Sequence, residues 1–270
     1  MINFSNVDFT HQNGVVALRA INLTIDLGEI VAVVGENGAG KTTLVRHMNG
    51  LLKPSRGTVT VDGVDTRQKS TAQLSRKVGI AFQNPDHQLF SDTLENEITF
   101  GLKNFGFAEE TIRQRLDWAL NFFGLEQYRK ASPLILSGGE KKRLTLACIL
   151  AWDPEVIILD EPTVGQDAIQ KERLAEAVKM FRSVGKTVVI VSHDVEFIWP
   201  LQPRLVIMSA GRIVGDGPAR DLMMDRELLE RARVTQPQLV QIYAELKPSN
   251  SHPFVDTLEA RKYIAGMVKR

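Results

Sequence analysis

Gly35-Glu36-Asn37-Gly38-Ala39-Gly40-Lys41-Thr42 decides how the rest of this chain is read. The stretch matches G-x-x-x-x-G-K-[ST] and sits in the context that pattern requires, between a strand and a helix. Before it, Ile30 to Val34 is a continuous apolar run rich in β-branched residues, the mark of a strand buried on both faces. After it, Lys41 to about Leu51 reads as a helix, ended by Lys53-Pro54-Ser55-Arg56-Gly57. Glycines let the backbone curl until successive N–H groups face one centre and cradle phosphate oxygens. The helix that follows adds the positive end of its dipole. Lys41 brings a point charge to the outer phosphates, and the Thr42 hydroxyl can ligate Mg²⁺. The expected nucleotide contacts are Gly35, Glu36, Asn37, Gly38, Ala39, Gly40, Lys41, Thr42 and Thr43. Taken alone, the loop says nucleotide and leaves kinases, GTPases and ATPases open.

Further along, Val156-Ile157-Ile158-Leu159-Asp160-Glu161 is an apolar strand that ends in two carboxylates. Ligands of mostly parallel sheets bind at the carboxyl ends of the strands, so this pair should lie beside the phosphate loop. Asp160 is placed to hold Mg²⁺, directly or through water. Glu161 is placed to orient and deprotonate an attacking water.

The remaining pattern builds a sheet around these two strands. Ile2 to Phe9 and Ala20 to Leu27 alternate apolar and polar residues, as half-buried strands do. Thr58 to Val61, Val78 to Phe82, Thr187 to Val191 and Leu205 to Met208 are further strands. Helices are expected at Glu95 to Phe105, Glu109 to Phe123, Lys141 to Ala151 and Ala168 to Val184. Strands alternating with helices imply an α/β fold with a mostly parallel sheet and an antiparallel β part at the start. Towards the end, Leu228 to Leu246 reads as helical around Pro237, Lys247 to Pro253 as a loop, and Thr257 to Val268 as a last helix. The expected division is a main domain over residues 1–225, with a helical subdomain at about 84–150, and a helical extension over residues 226–270.

The chain has 270 residues, 43% of them hydrophobic, enough for a sizeable core. Lys and Arg number 33 against 32 Asp and Glu, so the strongly basic footprint of a nucleic-acid binder is missing and no nucleic-acid partner is expected. The one cysteine, Cys148, has no partner for an internal disulfide, which fits a reducing compartment. No apolar run approaches the roughly 20 residues a membrane-spanning helix needs, and the N-terminus lacks the pattern of a signal peptide. A link to a membrane would have to come through a partner.

Leu136-Ser137-Gly138-Gly139-Glu140-Lys141-Lys142-Arg143 separates the P-loop families. Ser137 and Glu140 stand three apart and can form a capping box on the helix they open. Gly138 and Gly139 remove side chains and permit a close approach, and a helix start with exposed N–H groups is an anion site. The stretch resembles the signature of ABC ATPases, usually LSGGQ, with Glu140 in place of the usual Gln. The order phosphate loop, signature, Asp-Glu strand is also the ABC order. Membership implies a P-loop NTPase of ABC type: a mostly parallel core, an antiparallel β subdomain and an inserted helical subdomain. It implies too that two ATP molecules, with Mg²⁺, are sandwiched in a head-to-tail dimer, Ser137 and Gly139 facing the γ-phosphate held by the other copy.

Three more positions match the family pattern. Gln83 fits the Q-loop glutamine that contacts Mg²⁺ and water and senses the transport partner. Asp167, in Pro162-Thr163-Val164-Gly165-Gln166-Asp167, fits the D-loop that crosses the dimer. His193, in Ser192-His193-Asp194, fits the switch histidine at the γ-phosphate. The resemblance therefore assigns catalysis to Glu161, His193, Lys41 and Gln83, and Mg²⁺ to Thr42, Gln83 and Asp160. Where the family places an aromatic residue on adenine, this chain has His11, with Phe9 as its neighbour on a core-facing strand.

Gln83-Asn84-Pro85-Asp86-His87-Gln88-Leu89-Phe90 resembles the Q-loop of energy-coupling-factor ATPases more narrowly. That implies a homodimer or heterodimer on the cytoplasmic face of the membrane. It would dock on an integral membrane coupling subunit that carries a substrate-binding membrane subunit, in an importer of a vitamin or a transition-metal ion. Leu89 and Phe90 would either meet the membrane partner or pack under the helical subdomain. An ATPase of another ABC importer class is the alternative. Chromosome-organising and DNA-repair relatives carry a long coiled coil between phosphate loop and signature, for which there is no heptad run here. Ribosome-acting relatives resemble two fused halves, and a P-loop kinase would not need Leu136 to Glu140.

Overall fold

A computed structural model describes residues 1–246 and 252–268. Strand β1 (Ile2–Thr10) pairs antiparallel with β2 (Val16–Ile25), Phe4 opposite Leu23. Strand β3 (Ile30–Gly35) leads through the glycine loop into α1 (Lys41–Met48). Strands β4 (Arg56–Val61) and β5 (Val64–Asp65) complete an antiparallel sheet in the order β2-β1-β4-β5. The chain continues through α2 (Thr71–Ser75), β6 (Val78–Ala81), α3 (Leu94–Asn104), α4 (Glu109–Phe122) and α5 (Gly138–Ala151). Then come β7 (Val156–Asp160), α6 (Ala168–Ser183), β8 (Thr187–Val191), α7 (Val195–Ile198), β9 (Arg204–Ser209) and β10 (Arg212–Pro218). Four helices close the chain: α8 (Ala219–Leu222), α9 (Arg226–Ala232), α10 (Gln238–Leu246) and α11 (Thr257–Val268).

The second sheet has the order β10-β9-β3-β8-β7-β6 and is parallel except for the β9–β10 hairpin. Strand β3 is buried on both faces, as its unbroken apolar run requires. Val31 and Val33 pack with α1 and the antiparallel sheet. Ile30, Ala32 and Val34 pack with α5, α6 and the α7 region. A separate apolar cluster holds the helical subdomain together, with Leu94 and Ile98 of α3, Leu116 and Leu120 of α4 and Leu144 of α5. Helix α5 serves both cores: Leu144 and Ala147 face α3 and α4, while Leu146, Ile149 and Leu150 face the sheet. A helix buried on opposite sides has no single apolar stripe, and this one has none in its sequence.

Several boundaries differ from the sequence reading for visible reasons. Strand β2 begins at Val16 instead of Ala20; Ala20 has φ 49, which interrupts the alternation that marked the strand. Helix α1 stops at Met48, with Gly50 at φ 72 just beyond, instead of running to about Leu51. Helix α5 starts at Gly138, earlier than the expected Lys141, because the Ser137–Glu140 capping box does form. The expected helix over Leu228 to Leu246 is two helices: Arg233 adopts φ 51 and ends α9, and Pro237 precedes α10. The expected loop at Lys247 to Pro253 falls largely outside the described residues. Leu229, Ala232 and Val240 join the main core, whereas Tyr243, Phe254 and Ala260 form a small cluster of their own.

Candidate functional site

Strands β3, β8, β7 and β6 are parallel neighbours, so their carboxyl ends share one edge of the sheet. That edge receives, in turn, the glycine loop, Ser192-His193, Asp160-Glu161 and Gln83. This is the position where open α/β sheets bind ligands.

The loop depends on its glycines. Gly35 has φ 147 and Gly40 φ 101, and a Cβ there would lie 2.1 Å from the Met208 carbonyl oxygen and 2.4 Å from that of Ala17. Gly38, at φ 83, faces open space. Helix α1 therefore begins from a left-handed Gly40 with no side-chain cap, so its amide end is left to an anion. Lys41 Nζ donates to the carbonyls of Gly35 and Glu36 at 2.8 and 2.9 Å, arched over its own loop. Burial lowers its pKa, while the carboxylates of Glu161, Asp160 and Glu36 oppose that fall. Glu36 also pairs with Arg233 at 3.0 Å.

The two members of the acidic pair differ in their contacts. Asp160, 1% exposed, accepts a hydrogen bond from Thr42 Oγ1 at 3.3 Å. Burial raises its pKa, and the charge of Glu161 adds to the rise. Glu161, 7% exposed, has φ 50, a left-handed backbone that turns its side chain towards β8. There His193 Nδ1 lies 2.9 Å from its Oε2, and Ser192 Oγ donates to the same oxygen at 3.3 Å. The His193 side chain is 63% exposed, so its ring bridges the buried carboxylate and the solvent side.

A cavity of about 370 Å³ runs along this edge. Asn37, Gly38, Gly40, Lys41, Thr42, Thr43, Gln83, Glu161 and His11 all line it, so one space gathers most of the expected site. His11 Nε2 lies 3.4 Å from Thr43 Oγ1, and Val15 and Val16 supply apolar wall that sequence reasoning passed over. Phe9 packs against the core and meets the His11 ring edge-on at 4.9 Å. Thr42, Asp160 and Gln83 offer oxygen atoms alone, as Mg²⁺ prefers, and the shortfall in protein ligands is one that phosphates and water normally fill. Among the described residues no group of three or more acidic, His or Cys side chains gathers as a metal cage.

Other expected residues lie elsewhere. The Ser137 hydroxyl and amide bond Glu140, and Gly138 beside it faces open space. Asp167 caps α6 by accepting from the Gln170 amide at 2.8 Å. Neither Ser137, Gly139 nor Asp167 lines the 370 Å³ cavity. Leu89 turns inward against the helical subdomain, while Phe90 is 65% exposed and stacks edge-on against Phe100.

Lys142 was not expected in the site; the sequence placed it only in the helix that follows the signature. It is 3% exposed, and its Nζ donates to the carbonyls of Gln83 and Glu161, both at 2.9 Å. Burial lowers its pKa to about 8, opposed by Asp160 and Glu161. Ser192 was also missed, being visible before folding only as the neighbour of His193.

Comparison with known proteins gives a consistent answer. The family model described as ABC transporter matches residues 18–164. The energy-coupling factor transporter ATP-binding protein EcfA of Methanothermobacter thermautotrophicus is 39% identical over 249 residues, 92% of this chain and 80% of that one. Among solved structures, a subunit of the ABC transporter complex cbiONQ of Clostridium perfringens is 32% identical with a TM-score of 0.74, covering 92% of this chain and 98% of its own. A dimeric ATP-binding cassette bound to ADP and phosphate after hydrolysis is 29% identical with a TM-score of 0.74, over 82% of this chain and 99% of its own.

Proposed function

The chain belongs to the ABC transporter family of ATPases, and on that footing we propose that it powers an energy-coupling-factor-type importer as its ATP-hydrolysing subunit. The observation that carries the reading of the site is the Glu161–His193 pair, 2.9 Å apart, at the sheet edge that also bears the phosphate loop. A carboxylate held by a histidine beside a phosphate cradle is what water attack on a terminal phosphoryl group needs.

In this mechanism the loop amides and Lys41 hold the triphosphate. To reach it Lys41 exchanges its two carbonyl partners for phosphate oxygens. Thr42, Asp160 and Gln83 would hold Mg²⁺, which when bound neutralises charge on the outer phosphates. Glu161 takes the proton of the attacking water, and His193 both fixes the carboxylate and faces the charge that develops. Ser137 and Gly139 of a second copy complete the γ-phosphate site. The open space in front of Gly138, between them, and the dimer formed by the related cassette support that arrangement. Catalysis is then positioning plus electrostatics.

The importer type rests on the Gln83–Phe90 segment and on the likeness to EcfA. Exposed Phe90 and Phe100 would receive an integral membrane coupling subunit, which in turn carries the subunit that binds a vitamin or a transition-metal ion. Among the described residues no helix is long and apolar enough to cross a membrane, so attachment would be peripheral.

Two measurements test this. Glu161→Gln should lower ATP turnover at least about 100-fold, the scale of losing a general base, while ATP binding persists; turnover at the normal rate would remove Glu161 from its role. The chain, tagged and recovered from detergent-solubilised membranes, should bring integral membrane proteins with it. Recovery of ribosomes or nucleic acid instead would contradict the transport reading.

A further inference from the structure

Lys142 ties together two segments that the sheet itself leaves apart. Strands β6 and β7 pair in parallel up to Ala81 opposite Leu159. Beyond that point the ladder ends, and the chains diverge into the Gln83 segment and the Asp160-Glu161 corner. The Lys142 ammonium stands where the next rungs would be and donates to the carbonyls of both Gln83 and Glu161. The neighbouring Lys141 adds a second link from the same helix turn, to Asp86 at 2.7 Å.

The Glu161 carbonyl is worth holding. A non-glycine residue in the left-handed region is strained, and it persists only when its surroundings fix it. The Glu161 amide is fixed by the Val191 carbonyl at 2.8 Å, and Lys142 fixes the opposite side of the residue. With both backbone groups pinned, the side chain points at His193. The Gln83 carbonyl shares the same ammonium, so the corner is held best when the Gln83 segment stays docked. Helix α5, which carries Lys142, also begins with the Ser137-Gly138-Gly139 tip.

We propose that Lys142 is a positioning residue that holds Glu161 in its left-handed, His193-facing conformation, and does so in dependence on the docking of the Gln83 segment and of helix α5. It does not line the 370 Å³ cavity. It acts through the Glu161 backbone, so that movement of the signature tip or of the Gln83 segment loosens the carboxylate. This inference rests on the assignment of Glu161 as the base.

The test compares steady-state ATP hydrolysis by the full chain with Lys142→Met and Lys142→Arg. Removing one partner of a buried charge can unfold a protein, so thermal unfolding is measured alongside, and Lys142→Gln replaces Lys142→Met should the latter not fold. The expected result is a fall of about 10- to 100-fold in kcat, as small misplacements of a reacting group cause. KM for ATP should stay within about threefold, since the phosphate loop is untouched. Lys142→Arg, which keeps charge and donors, should retain more of kcat than Lys142→Met. A folded Lys142→Met with kcat within about twofold of the unaltered chain, a loss in which KM rises in step with the fall in kcat, or a Lys142→Arg no better than Lys142→Met would each overturn the proposal. Failure of the underlying reading looks different: there Glu161→Gln itself would hydrolyse ATP normally.

Discussion

Glu161 and His47 illustrate how single residues are bent to the needs of the site. Glu161 accepts a left-handed backbone to aim its carboxylate, as described above. His47 lies fully buried on α1, its Nδ1 donating to the Thr43 carbonyl at 2.8 Å and its ring edge-on to Phe9. Its Nε2 has no hydrogen-bond partner. Burial lowers its pKa below the ordinary 6.5, opposed by the Thr43 carbonyl, while the charges of His11 and Lys53 push the same way as burial. The folded protein therefore resists a proton that the unfolded chain accepts. The stability owed to neutral His47 is complete above about pH 6.5 and is lost as pH falls below it. Between pH 7 and 5.5 the melting temperature of the unaltered chain should fall by about 2–4 °C more than that of His47→Gln. Equal falls would show that His47 stays neutral at no cost.

At the scale of elements, the parts that sequence made legible are those whose cause is local. The runs Ile30–Val34, Val156–Leu159 and Val188–Val191 of β3, β7 and β8 are apolar because each strand is buried on both faces, and Thr187–Val191 is found with the bounds its sequence suggested. The phosphate loop, the Asp160-Glu161 strand end and the Ser137–Glu140 capping box are contiguous, and each is present as read. Strand β10 was not legible: among the described residues it pairs only with β9, and Gly215 and Gly217 dilute its pattern. The Lys142 clasp was not legible either, since it depends on which carbonyls two different strands deliver to one ammonium. Trp199 belongs to the same class. Buried beyond α7, it donates Nε1–H to the Phe254 carbonyl at 2.8 Å and so fastens the chain before α11 to the main core. Trp199→Phe should cost about 1–3 kcal/mol, the worth of a buried hydrogen bond left unmade. Amide exchange over residues 254–268 should quicken more than in the phosphate loop. Uniform quickening would mean that Trp199 only fills the core.

On the proposed pairing, the whole molecule is a cassette with half of two nucleotide sites. One edge of its parallel sheet presents the loop, the acidic pair and His193. At the tip of α5 Ser137 is exposed and Gly138 faces open space, and neither lines that cavity. A single copy therefore carries both complementary surfaces without joining them, and a head-to-tail pair would join them twice. The nearly balanced charge, +1 over 270 residues, leaves no long-range repulsion between copies to overcome.

The most direct test of that pairing mixes two Glu161→Gln chains, one with Asn37→Cys on the phosphate loop and one with Gly138→Cys at the signature tip, and measures crosslinking between them by a short thiol reagent. The native Cys148 is buried and leaves the background low. The account predicts a crosslinked pair that forms when ATP is added and fades when ATP is removed. A yield that ATP leaves unchanged would contradict it.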